Sequence, residues 1–107
     1  MAAPLNVFKS IAAELTTDEE VLYTAPANTT SIILLAQVAN VDPEENANVT
    51  FLTSVNNTEL VKDFTIPVGD AGSVLQGKLV LEAGQFISAS SSANSVLKIT
   101  VSILETR

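Results

Sequence analysis

The groups in this sequence able to do acid–base, nucleophilic or metal chemistry are its carboxylates, amines and hydroxyls, because histidine, cysteine and tryptophan are all absent. Carboxylates gather twice, in Asp18-Glu19-Glu20 and in Asp42-Pro43-Glu44-Glu45. A pair of carboxylates can serve as acid and base, as in glycoside hydrolysis, but one of them needs a cleft that shifts its acidity. Both runs read as charged turns, where a carboxyl stays solvated. Calcium is a second option for the Asp42–Glu45 run, since loop oxygens suit that ion. The run lacks the alternating ligand spacing and central glycine of an EF-hand loop. A Ser–Lys dyad would need Lys62, Lys78 or Lys98, and each falls on a strand position expected to face water. Gly69, Gly72, Gly77 and Gly84 have neither phosphate-cradle spacing nor a following helix, so they read as turn residues. The expectation is no catalytic residue, no cofactor and no metal. Surface contact is the chemistry left.

Composition points the same way. Hydrophobic residues make up 47% of the chain and charged residues 16%, against a usual charged share of about 25%. So much apolar content argues for an ordered core. So few charges leave apolar or Ser/Thr-rich surface that a docking subunit would tolerate better than a lone monomer. The net charge of −7 disfavours phosphate-rich and anionic partners, hence no nucleic acid and no membrane. The first residues, Met1-Ala2-Ala3-Pro4-Leu5, lack the basic and apolar regions of a signal peptide, so the asparagine sequons at Asn28, Asn48 and Asn56 carry no expectation of glycosylation. The apolar run Ile32-Ile33-Leu34-Leu35-Ala36 is far too short to span a bilayer.

The elements that must position such a surface are strands. Short β-prone runs alternate with turn clusters every 8–12 residues or so, the pattern of a sandwich or barrel. About eight strands are expected, over residues 8–15, 21–24, 30–41, 48–55, 60–67, 78–82, 86–91 and 96–105, in one antiparallel β-sandwich of jelly-roll or immunoglobulin-like type covering residues 1–107. Asn56-Asn57 marks a hairpin, since asparagine tolerates positive φ. The last strand alternates most cleanly, with Leu97, Ile99, Val101 and Ile103 inward and Lys98, Thr100 and Ser102 outward. The phenylalanines are expected where strands point inward. The strand over 30–41 is apolar on both faces, with Ile32, Leu34, Ala36 and Val38 on one side and Ile33, Leu35 and Ala39 on the other. A strand of that kind is covered twice, by a second sheet and by a neighbour. Ile33 and Leu35 are therefore candidate partner contacts. Residues 1–15 fit either a first strand or an extension reaching onto a neighbouring molecule, which adds Phe8 and Ile11. Tyr23, the one candidate surface aromatic, completes the set, with corner packing as its alternative.

The runs Leu22-Tyr23-Thr24-Ala25-Pro26, Thr29-Thr30-Ser31-Ile32-Ile33, Ala36-Gln37-Val38-Ala39-Asn40 and Gly77-Lys78-Leu79-Val80-Leu81-Glu82-Ala83-Gly84-Gln85, with Ile66-Pro67, resemble small virion structural proteins of tailed bacteriophages, especially of marine cyanobacterial phages. The resemblance spans the chain from about Val21 onward and rests on strand and turn patterns. It implies a β-sandwich virion subunit, assembled in the host cytoplasm, most simply a capsid decoration (cement) protein bound to the outside of the shell. Neck, tail or fibre subunits are the alternative within that class, and a carbohydrate- or receptor-binding module the alternative outside it. The implied partners are other virion proteins, the major capsid protein first, together with a homo-oligomer such as a trimer.

Overall fold

The computed structural model describes residues 5–107. It contains nine strands: β1 (Asn6–Glu14), β2 (Glu20–Thr24), β3 (Thr30–Asn40), β4 (Ala47–Thr53), β5 (Thr58–Ile66), β6 (Ala71–Ser73), β7 (Leu79–Leu81), β8 (Phe86–Ser91) and β9 (Leu97–Thr106). They form two antiparallel sheets. One runs β1-β9-β3-β6 with β7 also paired to β3; the other runs β2-β8-β4-β5. Successive strands mostly switch sheets, and this order is that of a jelly roll. The single-domain all-β sandwich expected from the sequence is what the chain adopts. Its links are less hairpin-like than expected. Only β4 and β5 are joined as a hairpin between sheet neighbours, through a tight turn in which Asn56 and Asn57 hold φ of 55° and 49°.

The core lies between the sheets. Leu97, Ile99, Val101 and Ile103 of β9 face Val49 and Phe51 of β4 and Ile87 and Ala89 of β8, all buried. Burying each large apolar side chain contributes about 1.5–3 kcal/mol, and the strict period of two in β9 places four of them on one face.

Three expectations need correction. The segment 71–73, read as loop, is a short strand. It pairs with Gln37–Ala39 of β3 while β7 pairs with Ser31–Ile33, so two short strands share the flank of one long one. In β3 the register to β9 slips between Ile33 and Leu35. Leu34 is thus a bulge residue, and the inward row is Ser31, Ile33, Ala36, Val38 and Asn40. The simple alternation read from the sequence breaks there. Finally, Phe8 points out of the sandwich, whereas Phe64 stays on the inward row beside Ile66 but sits at the open rim between the sheets against Gly72 of β6, 40% exposed, and only Phe51 is fully buried.

Candidate protein-interaction surface

Strand β1 is an integral edge strand of the larger sheet, paired with β9 from Asn6↔Thr106 to Glu14↔Lys98 without a break. Of the two readings for residues 1–15, the first strand describes residues 6–14; residues 1–4 lie outside the described part. Pairing fixes the facing of its side chains. Ile11 and Ala13 lie opposite Val101 and Ile99 and pack on the core, whereas Phe8, Ser10 and Ala12 stand on the outer face.

On that outer face the registers line up one apolar row across four strands. Phe8 of β1 pairs with Leu104 of β9, Leu104 with Ile32 of β3, and Ile32 with Val80 of β7. Phe8 is 73% exposed and Val80 53%. Leu34 and Leu35 extend the row along β3, and Leu35 is 41% exposed because the bulge turns it outward. A shallow depression between Phe8, Ser10, Leu34 and Ser102 lies within this surface. Exposed apolar residues are ordinary singly, but a row in register across a sheet is the pattern of an interaction site.

The five candidate contacts therefore separate. Phe8 and Leu35 stand together on the outer face. Ile33, fully buried in the core, is corrected: the bulge at Leu34 turns it inward. Ile11 is likewise corrected, since it packs inward from β1. Tyr23 is corrected as well, because its ring enters the gap between the sheets and its hydroxyl is fully engaged there. Leu104, Ile32 and Val80 belong to the surface and were not singled out. Only the cross-strand register could have joined them to Phe8.

Tyr23 leads to the most polar point of the interior. Its hydroxyl donates to the Glu105 carboxylate and lies 2.7 Å from the Ser31 Oγ. Lys9 Nζ lies 3.2 Å from the same carboxylate. Glu105 is only 3% exposed, on the inward row of β9 directly opposite Ser31 on β3. Its carboxyl is held below the ordinary glutamate value of 4.5, first by the Tyr23 hydrogen bond and then by Lys9, while burial opposes the shift. Burial and the bond to Glu105 push the Tyr23 hydroxyl up to about 12. Every group in this cluster has a partner, so it reads as a polar clamp joining the sheets at one end of the core.

Other places where chemistry was conceivable are occupied by structure. Asp42 Oδ1 accepts from the amides of Glu44 and Glu45 at 2.7 and 3.0 Å, capping its own loop. Asn40 anchors that loop, accepting from the Asp42 amide and donating to the carbonyls of Glu45 and Ile66. Among the described residues no three acidic side chains converge on a metal-sized site. A concavity of about 410 Å³ lies between Leu60, Val61 and Phe64 of β5 and residues 73–76, and no titratable group lines it. No described helix is long and apolar enough to cross a membrane.

No family model and no curated protein matches the chain. Among solved structures, one described as Bacillus endospore appendages, a family of disulfide-linked pili, is similar in fold: TM-score 0.52 at 8% sequence identity, covering 96% of this chain and 86% of that one. At that identity the likeness shows a shared β-sandwich fold and nothing more.

Proposed function

We propose that this chain is a non-catalytic structural subunit of a repetitive protein assembly, docking through the outer face of its five-stranded sheet. The observation that carries this is the in-register row Phe8–Leu104–Ile32–Val80, with Leu34 and Leu35 beside it. A row of that kind matches an uncharged, apolar strip on a partner, and many weak copies of the contact sum to stable attachment. The favoured setting is the particle of a tailed bacteriophage, with the chain decorating the outer shell and the major capsid protein as partner. That placement rests on the sequence resemblance. A second setting, a subunit of a surface appendage, is favoured by the fold shared with the endospore pilus structure. These 107 residues contain no cysteine, so an appendage built from them would be held by non-covalent contacts.

Stoichiometry in purified particles separates the settings: hundreds of copies on an intact capsid for decoration, recovery in filaments for an appendage. The double variant Leu35→Lys/Val80→Lys tests the docking face itself. Both side chains are exposed, so its stability should stay within ~0.5 kcal/mol of wild type while attachment to particles or filaments is lost. Attachment at the wild-type level would overturn the proposal.

A further inference from the structure

Each sheet has two flanks, and most of them are guarded against pairing with another chain. On one flank of the larger sheet, β6 and β7 are three residues long. In the smaller sheet, β2 is five residues long with a register shift between Val21 and Tyr23. Strand β5 carries Glu59, Lys62 and Asp63, two register shifts, and a φ of 52° at Asp63. Short length, bulges and charges are how sheet proteins keep their edges unpaired.

Strand β1 lacks the short length, register shifts and positive φ of the other flanks, and its charges are only Lys9 and, at its end, Glu14. It is nine residues long, in unbroken register, without proline, glycine or positive φ. Its one cation, Lys9, is half-exposed and paired to the buried Glu105 at 3.2 Å. Hydrogen bonds at its two ends show which backbone groups are open. Arg107 N donates to Leu5 O, and Leu15 N donates to Leu97 O. Odd-numbered residues therefore face β9, and Asn6, Phe8, Ser10, Ala12 and Glu14 turn their N–H and C=O groups away from the sheet. An open edge of this length is a template for another strand.

We infer that β1 pairs antiparallel with β1 of a second copy of this chain, about a two-fold axis through Ser10, joining the two larger sheets into one. This rests on the assembly reading above and names the partner of one edge. The strand is complementary to itself in this register. Ser10 meets Ser10, Phe8 meets Ala12 of the second copy, and Asn6 meets Glu14 of the second copy. All five open positions are used, the large ring lies over a small side chain, and the one outward carboxylate meets an amide rather than a carboxylate. Sliding by two residues sets Phe8 against Ser10 or Glu14 and leaves an end position unpaired. A self-complementary patch is what a two-fold interface requires.

The test combines sedimentation with residue-resolved amide exchange by NMR. An edge-only contact is smaller than a standard interface, so the protein is studied from about 10 µM to about 0.5 mM. The wild type should become dimeric over this range, with the Phe8, Ser10 and Ala12 amides slowing by at least ~tenfold. Ser10→Pro removes an N–H that makes no bond to β9, and Phe8→Lys restores a guarding charge at an exposed position. Each should remain monomeric at the highest concentration, with odd-numbered β1 amides still protected; if the proline variant fails to fold, Phe8→Lys decides. A wild type that stays monomeric throughout overturns the inference. So does a dimer in which those three amides exchange as fast as in the dilute protein, or one that survives in the folded variants. Leu35→Lys/Val80→Lys should still dimerise while failing to attach, which separates failure of this inference from failure of the assembly reading.

Discussion

Replacing Tyr23 with phenylalanine isolates the polar clamp, because it removes one hydroxyl and leaves the ring between the sheets. The hydroxyl makes a charge-assisted bond to Glu105 and a second bond to Ser31. Bonds to charged groups contribute about 1.5–3 kcal/mol each. Ser31 lies directly across the ladder from Glu105 and can turn its own hydroxyl to the carboxylate, which offsets part of the loss. The expected net loss at neutral pH is about 2 kcal/mol, or roughly 8 °C in melting temperature for a domain of this size. The loss should also depend on pH. The Glu105 carboxyl is more acidic in the folded protein than its ordinary value of 4.5. Its stabilisation is therefore complete above that value and disappears as pH falls through the lower folded value. Once the acid is protonated the bond is a neutral one, and the difference between wild type and variant should shrink to about 1 kcal/mol. Urea titrations followed by circular dichroism at neutral pH and over a descending acid series measure both quantities. A difference below ~0.5 kcal/mol at neutral pH, or one that stays constant down to acid unfolding, would refute the clamp as a source of stability.

Three further outcomes are expected. Tyr23 is the single tyrosine, and its raised pKa means that the neutral ring's stabilisation is complete below 10.0 and is lost as pH rises through about 12; phenolate absorbance should therefore appear near 12 in the native protein, and an onset near 10 before unfolding would contradict the buried hydroxyl. Deleting Leu34 should be tolerated to within ~1 kcal/mol, because Ile33 and Leu35 already pair with the consecutive residues Ile103 and Ser102. Deleting Gln37 instead reverses Val38 and Asn40 to the outer face and should cost at least ~3 kcal/mol, so thermal melts of the two deletions that coincide would refute the bulge. Gly72→Ala would bring its Cβ to 3.0 Å from Phe64 Cε2 and 3.1 Å from Ile66 Cδ1; the half-exposed Phe64 can give way, so a loss of about 1 kcal/mol is expected by denaturant titration.

By itself the sequence determined the class of the fold and the absence of familiar catalytic groups. Alternation in β9 and the turn at Asn56-Asn57 are local signals, set by side-chain period and backbone sterics, and they carry through unchanged. The same alternation places Glu105 on the inward row after Ile103. That parity could be counted, but an inward carboxylate makes sense only once Tyr23, distant in sequence, arrives from the other sheet. The apolar surplus of the segment 30–40 was also legible, and it rightly suggested a strand with two apolar faces. Which residue goes to which face was not. The bulge at Leu34 comes from fitting β3 to β9, a long-range register that no local pattern encodes. It buries Ile33, exposes Leu35 and leaves the outer row to be assembled from four strands far apart in sequence. Composition thus decided that this chain has surface to offer, and tertiary pairing decided that Phe8, Leu104, Ile32 and Val80 are that surface, because sheet register alone brings residues so distant in the chain into one row.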